Sequence, residues 1–348
     1  MGSQGWESIM QQSNHSLSES PATDSTEADA ADRRRGSSGS PGPLRSWSAQ
    51  VRRGVDLQSL YALVYLVVAN LIAGVLNLPS VAAALGIARQ PGLGDLLGDL
   101  VMLVFLFGTR GQDLLGRGSN PVRYKAQANP GPAVLVGAIL LIMLASSIET
   151  GFTWVVNQGS QALGLVYHST TSQIAAGQHG FLSPLDTAIL VPVVEEFLLR
   201  GVVMGRLRPY GRTFAIVTSS FVFACLHGDI TQSLFTFLLG LVLGFIAMEY
   251  SILWSMALHI FNNLVLADAM MWLTQTVPAR TGTLINQGMT LLGLVGGLVV
   301  LWLIRGQLAD RLRANRSRPG TYKGWISLGL AVLVVLAVVN AAQRFSLA

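Results

Sequence analysis

The sequence predicts an all-α protein, a polytopic membrane bundle of about eight to nine transmembrane helices. Three observations predict it. Of the 348 residues, 51% are hydrophobic and only 12% charged, about half the charged share usual for soluble globular chains. The apolar residues fall in runs near the ~20 residues that a helix needs to cross a bilayer core. Lys and Arg gather at alternate connections between those runs, the distribution that sets orientation in a membrane. Lys and Arg number 23 against 18 Asp and Glu, a net +5, without interleaved aromatics, so the basic balance reads as a topology signal and not as a nucleic-acid surface. The lipid bilayer is the expected surrounding partner; nucleic acid is not. Cys225, the single cysteine, excludes an intramolecular disulfide.

Residues 1–54 are rich in Ser, Gly, Pro, Asp and Arg and lack apolar periodicity. They are expected to be a disordered polar tail, because such a segment buries too little to offset its ordering entropy. They contain no basic start followed by an apolar core, as a signal peptide requires, so the first apolar run is expected to be a retained anchor. Residues 55–348 form the transmembrane domain. Its spans are expected near 57–78, 93–108, 132–155, 184–204, 212–227, 232–250, 252–273, 287–305 and 325–343. The second carries Asp95 and Asp99 at its start, and the fifth is short.

Arg33 to Arg35, Arg45, Arg52 and Arg53 put the N-terminus inside, hence cytoplasmic. Arg110, Arg117, Arg123 and Lys125 follow the second span, Arg206, Arg208 and Arg212 the fourth, and Arg305 through Lys323 the eighth. The connection 156–183 contains no Lys or Arg, as an external loop should. Nine spans with an outer C-terminus satisfy every cluster in a multi-pass protein of the cell membrane.

A charge near the bilayer centre costs about 2.5–3.5 kcal/mol on insertion scales, so ionisable groups inside spans are candidates for function. The fourth span reads VPVVEEFLLRGVV. Glu196 and Arg200 are i and i+4, on one helix face and able to pair, whereas Glu195 lies about 100° away and is left for chemistry. Pro192 removes a backbone donor just before them and is expected to open a polar cavity at that depth. His227 ends FVFACLH and His259 lies in SMALHIFNN. His259 and Asn263 again share a face at i and i+4, while Asn262 points elsewhere. Phe223 stands one turn before His227. A straight helix from Arg212 carries His227 ~22 Å, toward the outer side, whereas Glu195, His259 and Asn263 fall near mid-membrane.

These residue types suit attack by water on an amide. A buried carboxylate can take a proton from water, an imidazole can hold that water, and a histidine and an asparagine can donate to the developing oxyanion. The same set could also ligate a divalent metal such as zinc through Glu195, His227 and His259, since His and carboxylates are common zinc ligands. Spacing alone does not decide between the two.

EEFLLR at 195–200, FACLH at 223–227 and HIFNN at 259–263, in that order on successive spans, resemble the motifs of the CAAX-processing and bacteriocin-processing membrane proteases. This is the CPBP or Abi family, which includes the type II CAAX prenyl endopeptidases. The resemblance covers about residues 183–275. It implies a helical intramembrane catalytic cavity in which Glu195 and His227 activate water, His259 and Asn263 stabilise the oxyanion, and Glu196 and Arg200 support them. It further implies a membrane-embedded endopeptidase acting on a membrane-associated peptide or protein; both metal and glutamate mechanisms have been argued for the family, and the distance in sequence between the glutamates and the nearest histidine favours the glutamate type with no obligatory cofactor. The alternatives are a non-catalytic relative serving as scaffold, immunity factor or regulator, and an ion-coupled transporter. GLGD at 92–95 matches a short aspartyl-protease string and reads as the entrance of a span; Glu249 and Asp268 are expected at span ends. No HExxH occurs.

Overall fold

The computed structural model describes residues 43–76, 78–86, 92–118, 121–122, 129–170 and 182–347. Among them, nine long helices follow in chain order: α1 Pro43–Leu76, α2 Leu93–Leu114, α3 Pro132–Ala162, α4 over 182–207, α5 Arg212–His227, α6 Ile230–Glu249, α7 Ile252–Thr276, α8 Ala279–Ala314 and α9 Leu328–Ala342. The fold is a polytopic helical bundle. By length and composition, five helices can each cross a membrane: most of α1, then α3, α6, α7 and α8. Helices α5 and α9 are shorter and apolar. The strands Leu165–Tyr167 (β1) and Phe345–Leu347 (β2) pair antiparallel.

Each predicted span lies on one of these helices, and the boundaries differ most where polar residues continue a helix. Helix α8, for example, extends from Ala279 to Ala314, well beyond its apolar run. The polar tail expected up to residue 54 falls for 1–42 outside the described residues, as do His15, Arg123, Lys125 and His179. From Pro43 onward the expectation is corrected, because the chain is already helical there. Trp47, Val51 and Val55 recur every four residues, an apolar stripe hidden in a basic composition. Val51 and Val55 are buried, and the Trp47 indole N–H donates to Thr321 Oγ1 at 3.1 Å. Gly92, at φ 84°, precedes α2, and Asp95 lies in its first turn, so GLGD is a helix entrance. Glu249 does end α6; Asp268 lies inside α7, corrected because that helix runs on to Thr276.

The core fills the space among α2, α4, α5 and α6, where Met102, Leu106, Leu198, Leu199, Phe214, Phe223, Leu239 and Leu243 are buried. Helix α8 instead leaves Leu291, Leu292, Val295 and Trp302 exposed, as side chains facing lipid would be. It docks on α3 through Gly293 and Gly297. A Cβ on Gly293 would stand 2.5 Å from Met143 O, and one on Gly297 would strike Leu144. This one-turn pair of glycines permits the close approach typical of membrane helices, and Ser147 Oγ donates across to Thr290 O at 2.9 Å.

The bundle has two chemically distinct ends. Arg206 pairs with Asp113, and Arg212 and Arg311 with Glu249; the start of α1 meets Thr321 and Tyr210 at the same end. The β1–β2 ladder, Gly228 beside Asn340, and Asp229 mark the other. The basic stations that can be placed therefore share one end, and the C-terminal strand lies at the opposite one.

Candidate active site

Three π-helical stretches interrupt the two helices that carry the ionisable residues: Asp186–Leu190 and Phe197–Met204 in α4, and Asn262–Ala269 in α7. Pro192 gives a local reason for the first. It has no N–H with which to close a bond in the turn before it, and the Val191 N–H reaches five residues back to Asp186 O. Such wide turns recur at functional sites because they re-aim side chains.

Glu195 and Glu196 stand between these turns and are both buried, yet their surroundings differ. Glu196 Oε1 lies 2.9 Å from Arg200 Nη1 and 3.1 Å from His259 Nδ1; its Oε2 accepts from Ser255 Oγ at 2.5 Å. Arg200 also donates to Gly240 O at 3.3 Å, and its guanidinium lies 5.1 Å from the Phe223 ring centroid. This carboxylate is thus neutralised and hydrogen-bonded on both oxygens, which a buried charge requires. Glu195 has one ion-pair neighbour among the described residues, His259 Nε2 at 3.7 Å from its Oε2. That separation is too long for a direct hydrogen bond and leaves both oxygens open to a further donor.

His259 sits between the two glutamates. A carboxylate only accepts, so Nδ1 carries the hydrogen given to Glu196, and Nε2 is turned to Glu195. His227 is held in a similar way. Its Nδ1 lies 3.0 Å from the Phe223 carbonyl, which fixes the hydrogen there and leaves Nε2 as an acceptor. The Phe223 ring is edge-on to both imidazoles, with centroids 5.0 Å from His227 and 5.7 Å from His259. The fold therefore joins Glu196, Arg200 and His259 directly, sets Glu195 3.7 Å from His259 and brings His227 alongside through Phe223. Asn263 donates to Thr187 O and accepts from Asn262 Nδ2, both at 2.9 Å. One of its two amide hydrogens is engaged in tying α7 to α4.

Ser255 is the site residue that the sequence reading passed over. It lies one turn before His259, and that i, i+4 spacing is the signal that could have found it. Gly240 is a second: only a glycine lets α6 pass so close to α5, since a Cβ would stand 2.9 Å from Ser220 Cβ.

Among the described residues no three His, Cys, Asp or Glu side chains are arranged to hold a metal ion. Glu195, His227 and His259 as placed do not form such a group, and no step is derived through a metal.

This geometry, two glutamates with a following arginine and two histidines from later helices, lies within one continuous stretch of chain. Residues 177–265 match the family model described as type II CAAX prenyl endopeptidase Rce1-like. That is a protease family, and its match encloses Glu195, Glu196, Arg200, Phe223, His227, His259 and Asn263. No curated protein and no solved structure matches the chain. The matched stretch spans α4 to the middle of α7; helices α1, α2, α3, α8 and α9 lie outside it and pack around it.

Proposed function

We propose that the chain is an intramembrane endopeptidase in which Glu195 activates water against a peptide bond of a membrane-associated protein or peptide. One observation carries this reading: of two adjacent buried glutamates, Glu196 is held by Arg200, Ser255 and His259, while the one ion-pair neighbour of Glu195 among the described residues is His259, at 3.7 Å.

In this mechanism Glu195 takes one proton from water while His227 Nε2 accepts the other O–H and aims the oxygen. The O–H bond breaks as the C–O bond forms, and the carbonyl becomes an oxyanion. His259 acts as the imidazolium, giving its Nδ1–H to Glu196 and a hydrogen bond from Nε2–H to that oxyanion, which also accepts the remaining amide hydrogen of Asn263. Collapse breaks the C–N bond, and Glu195 returns its proton to the leaving amine. Glu196 and Arg200 are positioning residues, since they act through His259 and the Phe223 ring. The N-terminus and the basic end face the cytoplasm of a cell membrane. No obligatory metal is required in this scheme.

The test is cleavage of a membrane-associated peptide by the full chain in proteoliposomes. Glu195→Gln is expected to reduce the rate by about 10²- to 10⁴-fold with an unchanged melting temperature, and exhaustive chelation to leave the wild-type rate intact. Full activity in Glu195→Gln would sink the assignment. Activity lost on chelation and restored by zinc would replace glutamate with metal catalysis.

A further inference from the structure

A cleft of about 430 Å³ opens at the basic end of the bundle, lined by the loop from Asn315 to Lys323, by Leu312 of α8 and by Thr213 of α5. Apart from Thr213 its lining lies outside the matched residues 177–265, and nothing in the catalytic reading uses it. Its size is that of a small-molecule site, and its charge is one-sided. Arg316, Arg318 and Lys323 line it and are exposed, and no carboxylate is among its described lining residues. Four other arginines near this end have acidic partners: Arg206 has Asp113, Arg212 and Arg311 share Glu249, and Arg313 has Asp310. The three cations of the cleft form no ion pair with a carboxylate among the described residues.

The walls are fixed in advance. The Arg318 guanidinium lies 4.8 Å from the Trp47 ring centroid, Trp47 bonds Thr321, and Thr321 Oγ1 donates back to Arg318 O at 2.7 Å. Tyr322 packs edge-on against Phe214 and Trp325. Gly320, at φ 83°, makes the turn between the two charged arms, a conformation that glycine adopts freely. Held rigid in this way, the loop loses little freedom when an anion enters.

The approach to the cleft carries leucines along one face of α8, with Arg305 beside them. Leu301, Leu308 and Leu312 of α8 are exposed and share one face at i, i+7 and i+11, with Leu312 at the mouth. We propose that the cleft holds a phosphate-bearing anion, seated as the headgroup of an anionic membrane lipid whose acyl chains run along that leucine stripe. Cations near a membrane surface attract anionic lipid, and a delocalised guanidinium matches phosphate geometry. The proposal does not depend on the protease reading.

The probe is phosphatidylglycerol against phosphatidylcholine, measured by native mass spectrometry on the full chain extracted from nanodiscs, with inorganic phosphate as a second arm. The wild type is expected to retain phosphatidylglycerol selectively. Arg316→Gln with Lys323→Gln should weaken that retention about 25-fold, near fivefold for each cation removed, while Arg313→Gln, whose arginine pairs with Asp310 outside the cleft, leaves it unchanged. Melting temperatures equal to wild type show that the double variant is folded. Saturable binding of inorganic phosphate, lost in the double variant and stronger than that of the lipid, would keep the phosphate site and overturn the lipid as its source. Equal retention of phosphatidylglycerol by wild type and double variant would overturn the site.

Discussion

At the scale of single residues, the site depends on how Glu196 is held. Its charge is stabilised by three groups from two helices: Arg200 of α4, and Ser255 and His259 of α7. Removing one neutral donor leaves the ion pair intact and exposes the role of that donor alone. Ser255→Ala is expected to destabilise the protein by about 1–3 kcal/mol, the usual cost of losing a buried hydrogen bond to a charged group. It should also slow cleavage, because His259 then shares a less firmly held carboxylate. Denaturation in detergent alongside peptide cleavage checks both, and an unchanged melt would show that the 2.5 Å contact contributes nothing to stability. Glu196→Ala is a harsher change: it strands Arg200, 4% exposed, as an uncompensated buried charge at a cost of about 3–5 kcal/mol. The pairing of Glu196 with Arg200 was legible from four-residue spacing alone. Ser255 was not recognised, because serine is common in membrane helices and only the folded contact distinguishes this one.

At the scale of elements, Asp229 joins a helix start to a strand. It is the N-cap of α6, accepting from the Thr231 and Gln232 amides at 2.9 and 3.2 Å. It also accepts from the Tyr167 hydroxyl of β1 at 2.5 Å and the Thr170 amide at 2.7 Å. Burial by itself raises the pKa of this carboxyl, but the hydrogen bonds from Tyr167, Thr170 and Gln232 outweigh burial and hold it at about 2, below the ordinary 3.8. A depressed folded-state value contributes stability above the unfolded value, and that contribution is lost as protons bind. The wild type is therefore expected to lose stability as pH falls from about 4 to about 2. Asp229→Asn should be less stable by about 1–3 kcal/mol at neutral pH and flatter across that window. Melts in detergent from pH 7 down to 2.5 test it; parallel profiles for the two proteins would remove Asp229 as the acid-sensitive link. Apolar runs located the helices, but not the turn types within them. The π-helical stretches depend on how α4 and α7 meet, which the linear pattern does not encode.

At the scale of the whole molecule, the charge pattern and the fold agree on two ends. The N-terminal part of α1, the end of α4, the start of α5 and the loop before α9 meet at one, while β2 pairs with β1 at the other. With the basic end inside, the C-terminal strand must lie outside. A membrane-impermeant maleimide applied to intact cells is expected to label Ser346→Cys and to label Arg313→Cys only after permeabilisation; the native Cys225 is buried. The reverse pattern would invert the orientation.

The sequence by itself determined the all-α membrane class, the positions of the apolar helices and the order of the three motifs. Those properties follow from local periodicity and from the high cost of charge in hydrocarbon, both of which are written along the chain. Only the tertiary structure decided which partners complete Glu196, that Phe223 stands beside both histidines, that α1 begins at Pro43, and that cations from one loop surround an open cleft. Each of those joins residues far apart in sequence, and burial and pairing at such distances are set by how helices pack, not by their individual patterns.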